Sequence, residues 1–218
     1  AIDNKLAELR AQIVKAISLV GIVTVPSAFF FLFFGPLIAQ VLFFGISDND
    51  AIFIGKVLGG FALAAIPLSL NLIAIRGLNA FENTKSQVIS NLLINVVSIG
   101  FSVVAYLTLP TEWITVGLAA SFTLSYWVGN ALTFKLLDRH SGSISTSEYR
   151  KLYVLLALVS LIIFIPLRFV VSADLIPGGN IVSLLVVIVI AVFAFLGLAK
   201  IFRIEEVAQT VKLILRRK

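Results

Sequence analysis

Six separate runs of about 20 mostly apolar residues decide what this chain can become, because about 20 such residues in a helix cross the hydrocarbon core of a bilayer. The runs are 13–34, 51–75, 88–109, 113–137, 151–171 and 180–202. None alternates apolar with polar residues as a barrel strand must, and each is too long for one strand. The spacing predicts an all-α fold: a polytopic transmembrane helical bundle of about six membrane-spanning helices, with an amphipathic helix at each end. Composition agrees, at 60% hydrophobic and only 13% charged residues, where a soluble domain carries about a quarter charged.

The end helices follow from helical spacing. Ile2, Leu6, Leu9 and Ile13 recur on one face with Asp3, Lys5, Glu8 and Arg10 between them. At the other end Ile204, Val207, Val211 and Leu215 oppose Glu205, Gln209, Lys212 and Arg216. The chain contains no Met and starts at Ala1, so further membrane protein is expected upstream.

Prolines and glycines set expected irregularities. Pro26 lies inside the first run. Gly35-Pro36 is expected to break the helix, leaving 37–44 as a short tilted piece, and Pro67 is expected to kink the second run. The run "FFFLFF" at 29–34 is expected to face acyl chains.

Basic residues set the orientation. Of 17 Lys and Arg residues, all but Lys56 and Arg168 fall near the ends or in the 76–87 and 135–151 connectors. The opposite connectors, 45–50, 110–112 and 172–179, carry Asp48, Asp50, Glu112 and Asp174 and no Lys or Arg. Both ends are therefore expected in the cytoplasm, with the chain in the cell membrane. The net charge of +6 then reflects topology and contact with membrane lipids, not nucleic-acid binding.

Polar residues line up inside three runs. Asn91, Asn95, Ser98 and Ser102 share one helix face, as do Lys56, Gly60, Pro67 and Asn71, and Tyr126, Asn130 and Thr133. Such faces turn away from lipid. They serve either as helix-to-helix glue or as the wall of a shared wet cavity. Lys56 and Arg168, near the outer boundary, either snorkel to headgroups or meet an anion. The last two runs are almost wholly apolar and face lipid or hold something lipid-like.

Catalytic sets are missing from the sequence. There is no Cys, one His (His140, expected in solvent), and no spacing that suits a metal, a phosphate loop or a nucleophile. An enzyme is not expected, no cofactor or metal is implied, and transport or scaffolding remains.

The connector "RGLNAFENTKSQV" resembles the equivalent loop of the MurJ/MviN lipid II flippases, within the multidrug/oligosaccharidyl-lipid/polysaccharide exporter superfamily. Arg76, Ala80, Thr84 and Lys85 match the family pattern, while Asn79, Asn83 and Gln87 stand where it has Tyr, Asp and Pro. "GPLIAQVLFFG" (35–45) and "AIPLSL" (65–70) are similar to two further family segments. The resemblance implies spans nine to fourteen of a fourteen-helix flippase. It implies alternating access, a polyprenyl-linked cell-wall precursor as substrate, and an upstream transmembrane half of the same protein as partner. On that reading residues 1–140 form a four-span, cavity-lining part of the C-terminal lobe. Residues 141–218 form the last two spans, an apolar groove for the polyprenyl tail, and a basic tail. Lys56, Asn71, Arg76, Asn91, Asn95, Asn130 and Arg168 are the expected cavity-lining or substrate residues, with Arg76 and Lys85 a gate, a headgroup anchor or simple topology determinants. Pro26, Pro36 and Pro67 are the expected hinges. Two alternatives stay open: an ion-coupled exporter of the same superfamily, and a membrane scaffold leading into a cytoplasmic regulatory domain after Lys218.

Overall fold

The computed structural model describes residues 2–142, 144, 146–202, 204, 206 and 207. It is helical throughout these residues: α1 (Ile2–Leu42), α2 (Asp48–Ala62), α3 (Ala65–Asn79), α4 (Thr84–Thr108), α5 (Thr111–Ser141), α6 (Thr146–Ser172) and α7 (Gly179–Ile201). Among the described residues five crossings, with α2 and α3 taken as one, are long and apolar enough to span a membrane. Helix α5, which holds the fourth expected run, has 31 residues, or about 46 Å of helix. It is too polar to qualify on composition because it carries Ser121, Thr123, Ser125, Asn130 and Thr133. All five are buried against other helices, so its polarity meets protein rather than lipid.

Helix α1 differs from the expectation in two ways. The amphipathic start is not a separate helix, since α1 runs unbroken from Ile2 through 41 residues. Nor does Gly35-Pro36 end it, because both Pro26 and Pro36 lie inside. A proline in a helix interior removes a hydrogen bond and costs about 3 kcal/mol. Exposing a broken backbone to lipid costs more, and here packing also holds the rod. Gly35 meets Gly55 of α2 backbone to backbone: a Cβ added to Gly35 would lie 2.5 Å from the Gly55 carbonyl oxygen. Gly59 continues the contact one turn on, against Leu32, making Gly55 and Gly59 a small-xxx-small face.

The break falls instead in the second crossing. Pro67 has no N–H to give the Leu63 carbonyl, and its ring crowds that carbonyl. The chain responds with a turn at Leu63 and Ala64 between α2 and α3. The Ala64 amide reaches back only three residues, to Phe61 O at 2.9 Å, and the ordinary four-residue pattern resumes with Leu68 N to Ala64 O at 2.9 Å.

Helix α1 is the common neighbour of α2, α3, α6 and α7, while α5 gathers α2, α3 and α4. The phenylalanine run belongs mostly to this packing. Phe30, Phe33 and Phe34 surround Phe164 of α6 with ring centroids 6.0, 6.4 and 5.9 Å away, and Phe34 is fully buried. Only Phe31 and Leu32 of the run are exposed, which corrects the expectation that it faces acyl chains. Tyr153 of α6 donates to Ile17 O at 3.0 Å, its ring seated where Gly21 leaves room. The C-terminal amphipathic stretch lies outside the described residues except for Ile204, Glu206 and Val207, of which Ile204 and Val207 are buried.

Candidate substrate path

Thr133 is the meeting point of three helices. Its Oγ1 accepts from Asn71 Nδ2 of α3 at 3.1 Å, pairs with Ser90 Oγ of α4, and donates to Gly129 O one turn back at 2.9 Å. A hydroxyl has one proton and two lone pairs, so three partners satisfy it fully. Asn71 is 2% exposed and Ser90 and Thr133 are fully buried.

A second set of bonds splints the broken crossing. Thr123 Oγ1 donates to Gly60 O at 2.8 Å, on the α2 side of the break. Asn130 Nδ2 donates to Pro67 O at 2.7 Å, on the α3 side. Thr123 and Asn130 are seven residues apart on α5, as Gly60 and Pro67 are along the broken crossing, so two donors on one face of α5 hold both halves. Asn130 is 5% exposed, and its Oδ1 has no hydrogen-bond partner.

The three polar stripes therefore part company. Asn71, Asn130 and Thr133 are packed between helices, buried and bonded across them. On α4 the face turned to α5 is Ser86, Ser90 and Ile94, with Ile94 seated against Gly129. Asn91 and Asn95 sit one residue on, about 100° round the helix, and both are exposed, with Ser98 and Ser102 half-buried beside them. This polar face is offered away from the rest of the described chain.

The cations lie elsewhere. Lys56 is exposed, with its ammonium 4.4 Å from the Trp113 ring centroid, tying α2 to the start of α5. Arg76 is exposed in the last turn of α3. Arg168 is half-buried near the far end of α6. The structure does not bring these three to one place with the asparagines. Of the prolines, Pro26 is half-buried in the wall of a groove, Pro36 rests on Gly55, and Pro67 is buried at the third position of α3.

That groove runs between α1, α6 and α7. Its volume is about 400 Å³, and Pro26, Phe30, Phe31, Phe164, Val192 and Phe195 are among its walls. Among the described residues Ser27 is the one polar side chain lining it. The two almost wholly apolar runs of the sequence thus form, with α1, a trough suited to hydrocarbon rather than to ions.

The α3–α4 connector is tethered. Asn83 Oδ1 caps α4 by accepting from Ser86 N at 3.0 Å, while its Nδ2 lies 2.6 Å from His140 Nε2 at the end of α5. The Phe81 ring is 5.8 Å from the His140 ring. His140 is exposed, yet it holds this connector, a role the expectation of a merely solvated ring missed. Thr123 and Ser90 were also missed; the matching seven-residue spacings of Thr123–Asn130 and Gly60–Pro67 are the signal that points to the first.

The profile of the family described as lipid II flippase MurJ matches residues 1–175. The chain belongs to the MurJ lipid II flippase family. Family membership accords with the connector motif and the order of the segments that resemble it. A solved structure described as lipid II flippase MurJ in an inward closed conformation superposes with a TM-score of 0.73 at 18% identity, over 94% of this chain. At that identity the likeness shows the fold alone. This chain spans 41% of the length of that one. No curated protein matches the chain in sequence.

Proposed function

We propose that this chain is the later, C-terminal part of a lipid II flippase, and that the machine carries the lipid-linked peptidoglycan precursor outward across the cytoplasmic membrane by alternating access. Membership of the MurJ family over residues 1–175 is the observation that carries this reading. Two features of the geometry suit it. The exposed Asn91–Asn95 face of α4 is a wettable wall, and the α1–α6–α7 groove is an apolar trough. A polyprenyl-linked sugar needs both kinds of surface, since its head is polar and its tail is hydrocarbon.

On this reading residues 1–140 supply four crossings of cavity wall, and residues 141–218 supply the tail groove. The rest of the flippase would close over the Asn91–Asn95 face. Asn71 and Asn130 would keep that wall in register, and Pro67, at the splinted break, would be where the wall bends. Both ends would be cytoplasmic, as the asymmetry of Lys and Arg favours. Arg76 and Lys85 would stand at the cytoplasmic mouth, and Lys56 and Arg168 toward the outer one.

The test uses the full-length protein in a bacterium whose own flippase is depleted. Restored growth, with lipid II again reaching the outer leaflet, is expected; Asn91→Leu with Asn95→Leu should abolish the rescue at normal protein levels. Lipid II that stays on the inner leaflet despite well-expressed wild-type protein would refute the proposal.

A further inference from the structure

We propose that the outward face of α6 holds an anionic phospholipid, with its headgroup phosphate on Arg150 and Lys151 and an acyl chain along Val154, Leu158 and Ile162. Arg150, Lys151, Val154, Leu155 and Leu158 line one shallow depression of about 400 Å³. Their spacing places all five on a single face of the helix. Val154, Leu158 and Ile162 are 55%, 51% and 52% exposed. Neither cation has a hydrogen bond or ion pair with any described residue, so their charge is left for a ligand.

The stripe continues into a second depression of about 470 Å³, which begins at Ile162, reaches Pro166 and is walled by Ala194 and Leu198 of α7. From Lys151 to Pro166 the helix rises about 22 Å, which exceeds the roughly 15 Å occupied by one leaflet of hydrocarbon. A cationic cradle at one end and a leaflet-deep apolar stripe below it match a phospholipid in shape and charge. A cytoplasmic protein could meet Arg150 and Lys151. It could not reach Ile162, about 18 Å deeper along the helix.

This site is separate from the groove assigned above to the substrate tail. That groove lies on the α1 side of α6 and α7, has no charged residue, and shares no lining residue with the second depression. The lipid site requires only that α6 cross a membrane, so it stands or falls independently of the flippase reading.

The test measures lipid retention by purified protein in detergent, titrated with phosphatidylglycerol or phosphatidylcholine and read by native mass spectrometry. Phosphatidylglycerol should bind the more tightly. Arg150→Gln with Lys151→Gln should weaken it about 30-fold, at about fivefold for each cation near the headgroup, and leave phosphatidylcholine unchanged. Leu158→Trp, which crowds the acyl stripe but keeps both charges, should weaken both lipids. Lys135→Gln with Arg139→Gln, an exposed pair on α5, should change neither. Equal binding of the two lipids would overturn the proposal. So would an equal loss from the α5 pair, which is the signature of diffuse attraction.

Discussion

Replacing Thr133 by Val removes one hydroxyl and almost no volume, so it isolates the hydrogen bonding of the three-helix junction. The lost interhelical partners are Asn71 Nδ2, at 3.1 Å, and Ser90 Oγ. The bond to Gly129 O is local and redundant, because that carbonyl keeps its helical amide partner. Interhelical side-chain bonds within membranes average about 0.6 kcal/mol and reach about 1.7 kcal/mol. Both lost bonds lie in a dry site, so T133V should destabilise the chain by about 1–3 kcal/mol. Reversible unfolding in mixed micelles, or steric trapping in bicelles, would measure it. A double-mutant cycle sharpens the test: once Thr133 is Val, Ser90→Ala should add little beyond its own packing loss, because its partner has already gone. A T133V protein within about 0.3 kcal/mol of wild type, or strict additivity with Ser90→Ala, would refute the junction as a unit.

Three further outcomes follow from the packing. Gly55→Ala should force α1 and α2 apart where the Gly35 and Gly55 backbones touch, costing about 1–3 kcal/mol in the same unfolding assay, whereas Gly100→Ala, with open space at its Cβ, should be neutral or better. His140→Ala keeps the Asn83 cap on α4 but removes the ring that Asn83 Nδ2 and Phe81 meet, so protease nicking of the 79–83 connector should rise while helix content by circular dichroism stays the same. Val192→Trp should fill the α1–α6–α7 groove, leaving folding intact and reducing rescue of a flippase-depleted strain.

Crossings were legible from sequence because their length and apolarity answer to the bilayer, a solvent whose thickness is set outside the protein. The polar fourth run, Trp113 to Leu137, lies within the single helix α5, although α5 is not among the five helices apolar enough to span. Interruptions were less legible. Pro36 and Pro67 look alike on paper. Pro36 is carried through an unbroken helix because Gly55 of another helix lies against it, and that contact joins residues about 20 apart in the chain. At Pro67 the turn forms instead, at Leu63 and Ala64, one helical turn before the proline itself. The polar stripes show the same limit. Helical spacing puts Asn91 with Asn95 and Asn130 with Thr133, but it does not say what each face meets. Thr133 and Asn130 meet other helices, and Asn91 and Asn95 meet none among the described residues.

The unbroken α1 has a mechanical consequence. Among the described residues it is the one helix that touches both the small-residue face of α2 and the α6–α7 pair, and its backbone-to-backbone contact, Gly35 on Gly55, lies near one end. Some 33 residues separate that contact from Ile2, a lever arm of about 50 Å. A tilt of about 10° around so close a pivot would sweep the opposite end through about 9 Å, so a movement too small to notice at one membrane face becomes the width of a helix at the other.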